Sequence, residues 1–281
     1  MKLGLADFAA TDAALSDGQL KEMPPVIQLP GSAGPVCITY NLPGLKQPLR
    51  LRPATLAAIY LGKITSWHHP AIAKDNFITD LPNTEVMVAH RADPSGTTSI
   101  FTAYLDTVST DWHRHVGRGT SIAWPVGVAG QGSESVTEIV REATGGIGYV
   151  ELTYASHYRL PTAQLLNRAG KWIKPDPQAT SAAIGAFRDQ LRKDLRSPIV
   201  NPPASFPAAY PISGLTYLLI LSQHREARKE QYLTDFVQYI LTEGQDLSED
   251  LNYARLPSEL LQWGKRLLDQ TGEQNTAIRA Q

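Results

Sequence analysis

Residues 91–101 read RADPSGTTSIF, which places a guanidinium at Arg91, a carboxylate at Asp93, hydroxyls at Ser95 and Thr97 and a glycine at Gly96 within one short turn. These groups together can hold a tetrahedral oxyanion. Arginine presents a planar fork of donors that matches oxyanion oxygens. Hydroxyls donate at short range, and a glycine lets the backbone come close. If a helix starts at the turn, its first amides lack intrahelical partners and lie at the positive end of the helix dipole, so they hold an anion by themselves. The same residues also fit a plainer arrangement, with Ser95 capping its own helix and Arg91 paired to Asp93 as a surface salt bridge. Residue types and spacing leave both readings open.

The flanking elements decide where the turn lies. EVMVAH before it reads as a strand ending near Arg91, and Ile100, Phe101, Tyr104, Leu105 and Val108 after it fall at helical spacing, so the helix is predicted to start around Thr97. A turn between the carboxyl end of a strand and the amino end of a helix is where ligands of open α/β sheets collect. Other β-type runs lie at Leu3 to Phe8, Val26 to Leu29, Val36 to Tyr40, Ile147 to Glu151 and Ile212 to Leu221. Helical patterns alternate with them: PATLAAIYLG has Pro53 near its start and Gly62 at its end, and Gln231 to Glu243 runs to a stop at Gly244. The alternation predicts an α/β protein with largely parallel sheets. Between residues 197 and 214, five prolines in 18 residues mark a boundary or crossover. The polar tail after about Gly272 is expected to fray.

Composition narrows what such a site could serve. The 281 residues suffice for one large or two medium domains, and 42% hydrophobic with 19% charged residues describes a folded globular chain. Basic and acidic side chains number 26 and 27, a net charge of −1 that offers no broad field for nucleic acid or anionic lipid, so an anion site must be local. The lone cysteine, Cys37, lies in an apolar run and reads as a small buried side chain, and no intrachain disulfide is possible. No run approaches the length that spans a bilayer, and the given start lacks the apolar core of a secretory signal.

Taken over the whole chain, the motifs resemble those of the phosphate-binding component of bacterial phosphate ABC transporters, the PstS type. RADPSGTTSIFTAYL is similar to that family's R-S/A-D-x-S-G-T-T/S…F-T-x-Y-L, DFAATDAALSD to DFGASDxPL, and ITYNLPGL to V-x-YNLPG. LAAIYLGKITSWHHPAI, GQGSESVTEIVREATGGIGYVELTYA, YPISGLTYLLI and LNYARLP follow in family order, so the likeness runs from residue 1 to about residue 268. The resemblance implies a two-lobed periplasmic-binding-protein fold of type II, with residues 1–32 and 205–281 forming the first α/β lobe and residues 33–204 the second. It implies capture of inorganic phosphate by hinge closure and delivery to membrane permease subunits by a monomer in the periplasm or at the cell surface. No cofactor, metal or catalytic residue is implied.

Carried over residue by residue, the resemblance puts Arg91, Ser95, Gly96 and Thr97 on phosphate from the second lobe and Asp12 on it from the first, with Asp93 orienting Arg91. An ionised Asp12 can only accept hydrogen bonds, so it requires a proton on the ligand, which hydrogen phosphate carries and sulfate lacks. The chain departs from the pattern in three places. Pro94 stands where glycine is common, Ala9 and Thr11 replace a glycine and a serine beside Asp12, and the family's GAGATFP-like strand and GSGGG-like loop have no counterpart. A first lobe incomplete at its amino end is the expectation that follows. A phosphatase-like enzyme on the same scaffold, or a truncated homologue that binds nothing, are the alternatives. Outside these motifs, His113 and His115 read as an exposed helix end, His68 and His69 as surface, and Glu134 and Glu138 as a pair near the start of a helix. No pattern supports nucleic-acid binding.

Overall fold

The computed structural model is described over residues 6–77, 81–221 and 227–279. Its spine is β2 (Val26–Tyr40), which joins two halves of one six-stranded sheet. Toward its start, β2 pairs antiparallel with β9 (Ser213–Leu221), which pairs in turn with the edge strand β1 (Phe8–Thr11). Toward its end, β2 pairs antiparallel with β6 (Gly146–Glu151), followed by β4 (Met87–Arg91) and β5 (Val128–Gly130) in parallel. A second small sheet holds β3 (Arg50–Leu51), β7 (Gln164–Leu166) and β8 (Trp172–Ile173).

Two expectations change here. The runs at Val26 and Val36 are one 15-residue strand, because Pro30 and Gly31 sit at a bulge between Pro30 and Ser32 that absorbs the missing donor without ending the strand. In the six-stranded sheet parallel pairing is confined to β6, β4 and β5, and in the small sheet β3 pairs parallel with β7; β2 leaves the first half of the large sheet and β9 re-enters it, so these connecting strands run in opposite directions. The strand run expected from Leu3 lies largely outside the described residues, and β1 takes up the part from Phe8.

Alternation along the strands builds the core. Ile27 and Leu29 of β2 face Ile220 and Leu218 of β9 in register and pack with Val237 of α10 (Ala227–Ile240), Leu241 just past its end and Leu268 of α11 (Ser258–Arg279). The opposite face, with Leu215 and Tyr217, packs against Ile184, Leu191 and Leu260. In the other half, α2 (Pro53–Tyr60) and α4 (Gly96–Val108) cover one face with Tyr60, Phe101 and Tyr104, and α6 (Gly132–Glu142) covers the other with Val136 and Val140. The helix expected over Gln231 to Glu243 starts earlier, at Ala227, and ends at Ile240, with Gly244 inside the following 3-10 turn. Helix α11 continues to Arg279, through the tail expected to fray.

Candidate functional site

Three parallel strands end together. Arg91 closes β4, Gly130 closes β5 opposite it, and Glu151 closes β6. Helices α4 and α6 and the short α7 (Leu152–His157) begin just beyond, so this edge gathers helix amino ends and their unpaired amides. The turn after β4 is fastened at both ends: the Ala92 amide donates to the Gly130 carbonyl at 2.9 Å and the Ser95 amide to Thr120 at 2.8 Å. Its helix starts at Gly96, one residue before the expected start.

The plainer arrangement is present in part, with Ser95 capping its own helix and Arg91 paired to Asp93, and the first amides of α4 are left free of helical bonds. Ser95 Oγ caps α4 by accepting from the Thr98 amide at 3.3 Å, which leaves the amides of Gly96 and Thr97 at the positions without intrahelical partners. Arg91 donates from Nε to Asp93 Oδ1 at 2.8 Å and from Nη2 to Oδ2. The pair is not on the surface, since the two side chains are 13% and 20% exposed. Asp93 Oδ1 also accepts the Gly132 amide at 2.9 Å, and Arg91 Nη1 reaches Ser133 Oγ at 3.1 Å. The guanidinium beside it holds the Asp93 carboxyl well below the usual carboxylate range. Asp93 therefore locks Arg91 in place. Among the described residues, three of the five guanidinium N–H groups are engaged, and two remain for a ligand.

Asp12 enters from the opposite side, just past the end of β1. Its Oδ1 accepts from Thr216 Oγ1 of β9 at 2.7 Å. Burial, with the Glu151 charge acting in the same direction, pushes its carboxyl up to about 6, against the opposing pull of the Thr216 hydrogen bond and of Arg91. The approach to α4 is tight: a Cβ at position 96 would lie 2.6 Å from Asp12 Cβ, so only glycine allows the two sides to meet. A cleft of about 360 Å³ continues from Asp12 between Ile100 and Ala103 of α4 and Gly214 and Leu215 of β9. Arg91, Asp93, Ser95, Gly96 and Thr97 thus lie together on the turn and first turn of α4, and Asp12 meets that helix start at Gly96 and borders the cleft.

Two residues at this junction escaped the sequence reading. Glu151 Oε1 accepts from Thr97 Oγ1 at 3.1 Å and its Oε2 from Tyr253 Oη at 2.8 Å. Ser133, in the first turn of α6, braces Arg91. Glu151 closes its strand, as Arg91 does, and Ser133 stands just past the end of β5, and the GYVE and GQGSES stretches carry that signal once the strand order is known. Below them, the Tyr149 hydroxyl accepts the Arg91 amide at 3.2 Å and lies 2.6 Å from Thr98 Oγ1.

The remaining candidates lie elsewhere. His113 and His115 are exposed on α5 (Thr110–His115), with His113 on Asp106 at 2.8 Å. His69 caps α3 (Pro70–Asn76) instead of lying free on the surface, because its Nδ1 accepts the Ala71 amide at 3.2 Å. Cys37 is fully buried, and burial raises its thiol pKa far above the ordinary value. Among the described residues, no group of three or more His, Cys, Asp or Glu is placed to hold a metal ion, and no helix is long and apolar enough to cross a membrane.

A family model described as a PBP superfamily domain matches residues 2–243. The phosphate-binding protein PstS of Xylella fastidiosa is 36% identical over 262 residues, covering 93% of this chain and 71% of that protein. That of Methanocaldococcus jannaschii is 34% identical over 283 residues, covering 93% and 72%. Among solved structures, the periplasmic phosphate-binding protein PfluDING bound with phosphate aligns with a TM-score of 0.72 at 20% identity, covering 91% of this chain and 77% of that one. A phosphate binding protein from Stenotrophomonas maltophilia aligns at 0.66 and 18%, covering 92% and 78%. These structural likenesses establish the two-lobed α/β fold, and the closer sequence relatives establish the lineage. The chain belongs to the PstS phosphate-binding proteins of the PBP superfamily.

Proposed function

We propose that this protein captures inorganic phosphate between its lobes, on Arg91, Ser95, Gly96 and Thr97 from one side and Asp12 from the other, and passes it to a membrane ABC permease. The observation that carries this reading is the opposition of charge types across the junction. A locked guanidinium and a helix amino end face a buried carboxylate at the point where Gly96 lets the sides meet. Such a pair favours an anion that still bears a proton: its bare oxygens face the donors and its hydroxyl faces Asp12. An anion without a proton leaves Asp12 an unpaired acceptor beside like charge, a mismatch that supports discrimination of roughly 10⁴ or more.

The lobes we take as residues 1–32 with 205–281, and 33–204. The separate apolar clusters on either part of β2 support that division, while Ile184 and Leu191 pack with Leu215 and so associate α8 (Pro177–Ala186) and α9 (Arg188–Lys193) with the first lobe. Delivery to permease subunits, work outside the cytoplasmic membrane, a monomeric state and binding without turnover belong to the same reading, and kinship with phosphate-binding proteins supports them.

Calorimetric titration of phosphate and sulfate into the purified protein, beside Arg91→Ala, tests the proposal. Saturation at one phosphate per chain, no heat from sulfate and loss of at least a hundredfold in affinity for Arg91→Ala are expected, in line with removal of a charged, multiply bonded donor. A flat phosphate trace, or release of phosphate from an ester, overturns it.

A further inference from the structure

Glu151 and Tyr253 meet across the junction and belong to different lobes. Glu151 ends β6, beside Thr97 in the first turn of α4. Tyr253 lies in the segment whose next residues, Ala254 and Leu256, pack with Leu215 and Leu260 of the first lobe. That segment is pinned to the connecting strand: the Ala254 amide donates to the Ala33 carbonyl at 2.7 Å, and the Tyr253 ring lies over Gly34, where a Cβ would be 3.0 Å from the ring. The ring is thus set on β2 at the place where the sheet passes from one half to the other, with its hydroxyl 2.8 Å from Glu151 Oε2. A second bond joins the same segments, from Thr153 Oγ1 to the Leu251 carbonyl at 2.7 Å.

We propose that Tyr253 and Glu151 form a latch that holds the lobes together and, through Thr97, ties closure to the orientation of the anion cradle. The role rests on the phosphate-binding reading for its purpose, and on these contacts for its geometry. Glu151 is a positioning residue: its two oxygens are taken by Tyr253 on one side and Thr97 on the other, so a Thr97 hydroxyl held by Glu151 presents its oxygen and amide in one fixed direction. When the lobes part, Glu151 loses the Tyr253 hydroxyl and Thr97 is freed to turn.

Two measurements test the latch. With spin labels on Glu138→Cys of α6 and Gln238→Cys of α10, and Cys37 buried and unlabelled, electron–electron distances in phosphate-free protein report lobe separation. Tyr253→Phe and Glu151→Ala are expected to lengthen and broaden the distribution. Stopped-flow release of phosphate should accelerate roughly tenfold in each, the size expected for one hydrogen bond to a charged group. The double variant should be no faster than either single one, and Glu151→Gln, which retains an acceptor for Tyr253, should fall between it and the parent. Unchanged distances in Tyr253→Phe, or additive effects in the double variant, overturn the proposal. If the parent binds no phosphate, the reading above fails and the distances still decide the latch.

Discussion

At the scale of single residues, Asp12 carries the selectivity argument and also a cost. Its carboxyl is raised by burial to about 6 from an ordinary 3.8, so the folded state favours the protonated form. A raised carboxyl contributes stability that is present at low pH and lost as pH climbs through the folded value, here between about 4 and 6. The loss is at most about 3 kcal/mol for a shift of this size. Asp12→Asn should therefore melt a few degrees above the parent at pH 7.5, and the gap should close by pH 4 in thermal melts. Selectivity should move with the same titration. Below about 6 a protonated Asp12 can donate to a bare oxygen, so sulfate should begin to compete with phosphate at pH 5 but not at pH 7.5. Equal exclusion of sulfate at both values in a competition titration would remove Asp12 from the discriminating role.

Among the elements, α4 carries the most. Its cap, its apolar stripe and its place after β4 were all readable from residues 85 to 108, because capping and helical periodicity are local properties. What the helix end meets was not readable. Gly96 faces the Asp12 backbone, 2.9 Å from where a Cβ would stand, so Gly96→Ala separates helix stability from lobe contact. Alanine is a better helix former than glycine, so the melting temperature should hold. Closure should be obstructed, and phosphate affinity should fall at least tenfold by calorimetry, the cost of an overpacked contact of more than about 1.4 kcal/mol.

For the whole molecule, β2 and β9 link the two halves, and separate apolar clusters gather on either side of that link, with Ile184 and Leu191 packing across to Leu215 and with Tyr210 and Ile212 packing beside Val36 and Ile38. Small separations between packed halves are easily biased by a ligand that touches both. A hundredfold excess of phosphate over its dissociation constant should stabilise the protein by about 2.7 kcal/mol, raising the melting temperature by roughly 5–10 °C. Sulfate at the same concentration serves as the comparison in a thermal shift assay. An equal rise with both anions would mark a general salt effect and not a ligand held between lobes.

The alternation of strands and helices, the turn after β4, the run of motifs and the choice of Asp12, Arg91, Asp93, Ser95, Gly96 and Thr97 as candidates were legible in the sequence, because each depends on neighbours within a few positions or on a pattern of residues in chain order. Tertiary structure alone decided that β2 is a single strand joining both halves, that Asp12 and Gly96, 84 positions apart in the chain (96 − 12), meet closely enough to exclude a methyl group, and that Glu151 stands between Thr97 and Tyr253. These are contacts between residues distant in the chain, and they exist only once strand register and helix packing bring the strand ends to a common edge.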